Sequence, residues 1–494
     1  MPQTVHDAAI IGAGFGGIGA AIQLHRLGLD DLVILEREND LGGTWHVNRY
    51  PGLAVDIPSS TYSYSFEPNP YWSRLYAPGA ELKQYATHVA TKYDVKRHMR
   101  FDTVVEAAVW DEVEQHWIVS IAGGETVRAR LLLTATGFLS QPKMPDIDGI
   151  ETFAGTVIHT TKWNDDIDLV GRRAAVIGTG ATAVQLIPEI APQLAELTVF
   201  QRTAIWVTPK QDGNVPRRVQ QLYARVPLTQ RAVRGIGSGI LEALMVSGVL
   251  RYRQTRLLNR GVEKLALRHL RKQVDDPVTR AKLTPDYSFG CKRPTFSNTY
   301  FPTFNRPNVH LETTPIARIE PDAIVTADGR RTVVDTLVLA TGFNLWDTNF
   351  PAFSVIGRDG KDLGAFWREQ RFQAYEGVTV PGFPNFISLN SPYSYSGLSY
   401  FTTIESQMLH IERLLSEARR RGAAVVEVTE RANAEFLARM KDNLEDSVFL
   451  NGNCATSRSY YFNQHGEATL LRPTSTLNAF REATRFPLDD YTYA

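Results

Sequence analysis

A chain of 494 residues is longer than one ordinary core supports, so two or three domains are expected. Hydrophobic residues make up 43 % and charged residues 21 %, the balance of a globular protein. Lys plus Arg is 53 and Asp plus Glu is 53, so no net charge recommends nucleic acid as a partner.

The first unit opens on A-A-I-I-G-A-G-F-G-G-I-G-A. Ala8 to Ile11 is apolar without alternation and reads as a buried parallel strand. Gly12, Gly14 and Gly17 form G-x-G-x-x-G, Ile18 to Leu27 has helical periodicity, and a second strand, Leu32 to Leu35, ends at Glu36. Glycines there let the backbone approach a pyrophosphate, and an acid at the end of the second strand holds ribose hydroxyls. A return strand, Leu131 to Thr134, leads to A-T-G at Ala135 to Gly137, and Pro142 and Pro145 mark a crossing between units.

Phe153 to Trp163 places Phe153, Gly155, His159 and Trp163 in F-x-G-x-x-x-H-x-x-x-W, followed by Asn164 and Asp165. A second fingerprint follows at Gly178, Gly180 and Ala183, the G-x-G-x-x-A variant. Its helix runs through Val184 and Leu186, and its second strand is Leu197 to Phe200. That strand ends in Gln201, Arg202 and Thr203 with no acid. Glu or Asp would repel a 2′-phosphate, whereas Arg binds one through paired hydrogen bonds. The second nucleotide is therefore expected to be NADPH rather than NADH, with Arg202 and Thr203 among its contacts. From Pro209 to about Phe289, Arg, Leu and Gln rise and amphipathic helix is expected. Within it, Ile236 to Leu250 is apolar and flanked by Arg231, Arg234, Arg251 and Arg253. It is shorter than the ~20 residues that span a bilayer and Glu242 interrupts it, so a buried or interfacial helix is preferred over membrane contact. Strand Thr336 to Leu339 leads to a second A-T-G at Ala340 to Gly342.

The fold expected is α/β, with two Rossmann-like dinucleotide-binding domains and a helical insertion in the second. Residues 1–140 and 341–494 form one domain, 141–208 and 290–340 the other, and 209–289 the insertion. Cys291 and Cys454 are far apart in sequence and form no C-x-x-C, so neither a disulfide framework nor a thiol-based redox centre is expected. The start M-P-Q-T-V-H-D lacks the series of a signal peptide, and a cytoplasmic, reducing location fits both features. No metal centre is expected, and nothing in the sequence specifies an oligomeric state.

The linker, the two fingerprints and G-G-T-W-H-V-N-R-Y-P-G-L-A-V-D (Gly42 to Asp56) together resemble the type I Baeyer–Villiger monooxygenases. The family usually follows the linker Trp with Pro or Asp, where this chain has Asn164. The resemblance implies FAD on the first fingerprint (Gly12, Gly14, Gly17, Glu36) and NADPH on the second. It implies that Thr44 and Trp45 lie along the flavin, and that Lys292 of the Lys292-Arg293 pair faces NADPH. Arg293 would be the cation that favours a nucleophilic flavin C4a-peroxide over its protonated form, with Asp56 orienting it. Ketones and O2 would be the substrates, and esters or lactones the products.

Arg306 in F-N-R-P is a rival for Arg293, and Asp56, followed by I-P-S-S, is also a candidate helix or turn cap. His159 and Trp163 read as interdomain structure rather than acid–base chemistry. Tyr393 and Tyr395, in N-S-P-Y-S-Y-S-G-L, are candidate pocket residues or packing residues. Tyr460 and Tyr461 stand where a late family segment often carries Trp. The alternative function is an N- or S-oxygenating flavin monooxygenase, which shares the fold and both cofactors. A flavin-dependent reductase without oxygenation and a non-catalytic flavoprotein are further alternatives, disfavoured by the linker and by two intact fingerprints.

Overall fold

The computed structural model describes residues 4–164, 166–395 and 397–494; Asp165 of the linker and Ser396 of the tyrosine loop lie outside them. The opening segment forms β1 (Val5–Ile11), α1 (Phe15–Arg26) and β2 (Leu32–Leu35). β1 lies between β2 and β3 (Thr126–Thr134), parallel to both, with Ile11 opposite Leu35 and Thr134. This is the buried, near-continuous apolar pattern of a parallel sheet covered on both faces. An antiparallel meander, Val105–Asp111 and His116–Ile121, extends the sheet beyond β3. Late in the chain Phe386–Ser388 returns to pair with β3, so residues more than 250 positions apart share this sheet.

A second sheet is wholly parallel. Its strands are β4 (Thr156–His159), β5 (Arg173–Ile177), β6 (Glu196–Phe200), β7 (Val309–Glu312) and β8 (Thr336–Leu339), in the order β7-β6-β5-β8-β4. α2 (Ala181–Ile190) follows β5. Val176, Leu197, Val199 and Val338 are fully buried, which fixes the register because a one-residue slip would reverse every side chain.

Between Arg217 and Gln273 the chain is helical: α3 (Arg217–Arg225), α4 (Pro227–Leu241) and α5 (Tyr252–Gln273). α4 continues through Glu242–Val246 and Ser247–Leu250, so the helical run is Pro227–Leu250, 24 residues. It is longer than the Ile236–Leu250 segment expected and long and apolar enough to cross a membrane by length and composition alone. It is not a buried helix either. Only Val246, Gly248, Val249 and Leu250 at its end, and Gln230 near its start, are enclosed.

The cysteines correct the sequence reading. Cys291 and Cys454, 163 residues apart, form a disulfide with their Cα atoms 5.3 Å apart. The late segment folds back over the 288–293 loop, with Ser288 N–H donating to the Asn453 carbonyl at 3.0 Å. Spacing along the chain says nothing of such an approach. Cysteine usage therefore gives no ground for a reducing compartment.

Candidate functional site

Both glycine turns have the form that a nucleotide pyrophosphate requires. Gly12 has φ +107°, and a Cβ there would stand 2.6 Å from the Ala135 carbonyl oxygen. Gly178 has φ +115° and faces Ala340 still more closely. Each turn is thus pressed against the first residue of an A-T-G, and no side chain larger than hydrogen fits. Gly14 is the N-cap of α1 and Gly180 that of α2, and neither helix has a side-chain cap or an acid in its first turn. The first-turn N–H groups and the positive end of each helix are left to an anion. Gly17 lies against the Gly12 carbonyl and Ala183 is fully buried, so both small residues allow the close helix–strand contact that the fingerprint needs.

Glu36 is buried at the end of β2 and accepts from Ala13 N–H at 2.7 Å and Glu38 N–H at 3.0 Å. Burial pushes its carboxyl above the ordinary value against these bonds. Each oxygen keeps a lone pair for a ribose hydroxyl. Thr44 is exposed, while Trp45 is half-buried and donates its indole N–H to the Tyr62 hydroxyl at 3.2 Å. The Gly42–Asp56 segment docks on α2: the Tyr50 hydroxyl donates to Gln185 Oε1 at 3.0 Å, and Gln185 Nε2 donates to the Ala54 carbonyl at 2.9 Å.

The same segment delivers Asp56 to Arg293, 237 positions away. Nε donates to Oδ2 at 2.7 Å and Nη2 to Oδ1 at 3.1 Å, a bidentate pair of the kind that fixes guanidinium orientation. Burial alone would push the Asp56 carboxyl up, but the charge and hydrogen bonds of Arg293 outweigh it and hold it below its ordinary value. Asp56 is therefore a partner of Arg293 and caps no helix. Arg293 Nη1 donates to the Tyr395 hydroxyl at 2.9 Å, and the Tyr461 hydroxyl, pushed up to about 12 by burial, also reaches the guanidinium. Phe138 packs on Tyr395 with ring centroids 5.5 Å apart. Tyr393 does not join this set. It is buried, its N–H donating to the Thr469 carbonyl at 2.7 Å.

The rival Arg306 is exposed, with Nε 3.4 Å from Asn308 Oδ1. His159 is buried, with Nδ1 2.8 Å from the Thr161 hydroxyl, and burial holds its imidazole below the usual value. Trp163 is buried in the core of the second sheet beside Tyr50 of the first unit. Among the described residues, neither hydrogen-bonds to nor ring-stacks on the Arg293 group.

Arg202 stands exposed at the end of β6, and Thr203 accepts from the Thr179 hydroxyl through its carbonyl at 2.9 Å. Lys292 is pushed down to about 8 by burial, and next by the charge of Arg202. Burial and then the charge of Arg458 lower Arg202 likewise. Among the described residues none of the three cations has a carboxylate partner. Sequence reasoning missed Arg458, which lies 256 positions beyond Arg202 and joins it only because the disulfide-bearing segment folds over the second unit.

Comparison with known proteins places the chain beside flavoenzymes. The family described as pyridine nucleotide-disulphide oxidoreductase matches residues 9–224. A "Baeyer-Villiger monooxygenase" of Streptomyces coelicolor is 37 % identical over 494 residues, covering 99 % of this chain and 93 % of the relative. Another of Pseudomonas aeruginosa is 38 % identical over 479 residues, covering 97 % and 89 %. A crystal structure of OTEMO in complex with FAD and NADP superposes with a TM-score of 0.88 at 28 % identity, covering all of both chains.

Proposed function

The chain belongs to the Baeyer–Villiger monooxygenase family, and we propose that Arg293, held by Asp56 and Tyr395, is the group on which its ketone oxygenation turns. The enzyme is an NADPH- and O2-dependent FAD monooxygenase that converts ketones to esters or lactones. When bound, NADPH supplies the hydride and FAD the chemistry that activates oxygen. The family membership favours ketones over the N- or S-oxygenating alternative.

The observation that carries the reading is the bidentate Asp56–Arg293 pair set among buried phenols. A guanidinium has five N–H donors. Two are taken by Asp56 and one by Tyr395, and Tyr461 stands within reach of another. The remaining donor capacity serves the ketone oxygen. As the carbonyl carbon is attacked, negative charge grows on that oxygen, and a fixed cation stabilises it without having to reorganise. Asp56 keeps the guanidinium from turning away, and Tyr395, Tyr461 and Phe138 surround it with ring surface that displaces water.

Gly12, Gly14, Gly17, Glu36, Thr44 and Trp45 serve FAD in this reading. Gly178, Gly180, Ala183, Thr203 and the cluster of Arg202, Lys292 and Arg458 serve NADPH. The three cations match its 2′-phosphate, an anion that NADH lacks. The domain division follows: 1–140 with 341–494 around FAD, 141–208 with 290–340 around NADPH, and 209–289 as the insertion. A panel of linear, cyclic and aryl ketones with one sulfide, following NADPH oxidation and product together, tests the reading. Ester or lactone in stoichiometry with NADPH is expected; sulfoxide alone would reverse it.

A further inference from the structure

The helical run Pro227–Leu250 is amphipathic in the reverse sense of a soluble protein's surface helix. Three of its polar side chains point at the protein. Gln230 Nε2 donates to the Asn69 carbonyl at 2.7 Å and Arg234 Nη1 to the Ser63 carbonyl at 2.8 Å. Glu242 accepts from the Thr476 hydroxyl at 2.7 Å and from its N–H at 3.0 Å. Gln230 and Arg234, one turn apart, share a face, and Glu242 lies about 120° round the helix from Gln230, so the three occupy one side of it. The opposite face carries Leu228, Ile236 and Ile240, which are 69, 66 and 55 % exposed, with Val233 and Leu244 beside them. Residues 228 and 230, two apart, point about 200° apart around a helix. A soluble helix turns its apolar stripe to the core; here the stripe faces outward. Of the exposed large hydrophobic residues among those described, nearly half fall between Leu222 and Leu265, and an apolar concentration of this kind marks an interaction surface.

Charge selects the partner. From Arg217 to Lys272 the chain carries thirteen Lys and Arg against Glu242 and Glu263, a net charge of +11 in a protein whose total is zero. Arg217, Arg218 and Arg225 of α3 and Arg231 of α4 are exposed, and none pairs with a carboxylate among the described residues. Exposed aliphatic side chains together with unpaired arginines on the same helical insertion are what an anionic bilayer surface recognises. A second copy of the chain would bring +11 against +11 across a two-fold axis. We propose that this insertion seats the enzyme on anionic membranes, with the Leu228–Ile236–Ile240 face in the headgroup–acyl boundary and the arginines on lipid phosphates.

The helix lies on the membrane and does not span it, because Gln230, Arg234 and Glu242 fasten its length to the protein. Its enclosed end runs inward to a cavity lined by Val246, Val249, Leu250, Pro294 and Tyr461.

The test is flotation of the FAD-loaded holoenzyme with phosphatidylcholine vesicles that contain or lack phosphatidylglycerol. Binding is expected to the anionic vesicles, to weaken with salt, and to fall about five-fold for each arginine removed in Arg217→Gln or Arg218→Gln. The double variant Ile236→Asp, Ile240→Asp is expected to lose roughly ten-fold or more per side chain, and Val113→Asp, at a site 89 % exposed elsewhere, to lose nothing. FAD content and ketone turnover without lipid verify that each variant is folded, and they keep this result separate from the roles assigned around Arg293. No binding to anionic vesicles, equal binding to neutral ones, or binding that survives the double variant overturns the proposal. So does a dimer in light scattering that the double variant dissolves while vesicles remain unbound, which would give the face to a second copy.

Discussion

Arg293→Ala separates oxygenation from coenzyme consumption. The substitution removes two hydrogen bonds to Asp56, of 2.7 and 3.1 Å, and one of 2.9 Å to Tyr395. Stripping one partner from a fully buried pair costs about 3–5 kcal/mol of stability. The Asp56 side chain is 31 % exposed and takes water in exchange, so the loss here falls below that range and the variant still binds FAD. The catalytic loss is larger. One preorganised donor to a developing oxyanion contributes about 2.7–4 kcal/mol, or ~100- to 1000-fold in rate. Ester by gas chromatography, NADPH by absorbance and hydrogen peroxide by a coupled peroxidase assay are read on one sample. Ester formation is expected to fall by at least ~100-fold while NADPH is still consumed and hydrogen peroxide replaces the ester. Asp56→Ala gives the same uncoupling more mildly, since the cation remains but is no longer oriented. Arg306→Ala removes an exposed side chain whose one hydrogen-bond partner among the described residues is Asn308, and leaves both rates near wild type. Ester formation within ten-fold of wild type in an FAD-loaded Arg293 variant refutes the role, and its loss in the Arg306 variant alone identifies the wrong arginine.

Arg202→Ala raises the Michaelis constant for NADPH by about 10- to 150-fold, a charge-assisted contact of roughly 1.5–3 kcal/mol, and leaves that for NADH unchanged; equal effects on both remove Arg202 from the phosphate site. Lys292 titrates near 8, is charged below that value and neutral above it, so the preference for NADPH over NADH declines as pH rises through about 8. Lys292→Arg flattens that profile, and an unchanged profile counts against the assignment. Tyr395→Phe deletes one bond to a charged donor, a loss of about 1.5–3 kcal/mol, and lowers ester yield per NADPH while NADPH oxidation persists; a fully coupled variant would make Tyr395 only a packing residue. Reduction of the Cys291–Cys454 disulfide, which closes a loop of 163 residues, removes up to about 5 kcal/mol of chain-entropy stabilisation and lowers the denaturant midpoint, whereas an unmoved midpoint shows that the pair does not constrain the unfolded chain.

The sequence by itself determined the local units. Apolar runs ending in spaced glycines define β1 and β5, because a covered parallel strand is built mostly from apolar side chains and a pyrophosphate turn tolerates no Cβ. The missing acid after β6 was equally legible, since Arg202 is a property of one position. Thr336–Leu339 was bounded correctly for the same local reason. What depends on distant parts of the chain meeting could not be read from residues alone. Asp56 and Arg293 pair across 237 positions, and resemblance proposed that pair without supplying its geometry. Arg458 joins Arg202, Cys454 meets Cys291, and Tyr395 rather than Tyr393 reaches the guanidinium, each through a return of the late segment that no periodicity encodes. The run from Pro227 was visible as apolar and basic, but which face it turns outward was not. Helical spacing fixes which residues share a face; the partners of Gln230, Arg234 and Glu242, supplied by Asn69, Ser63 and Thr476, decide which face meets the protein.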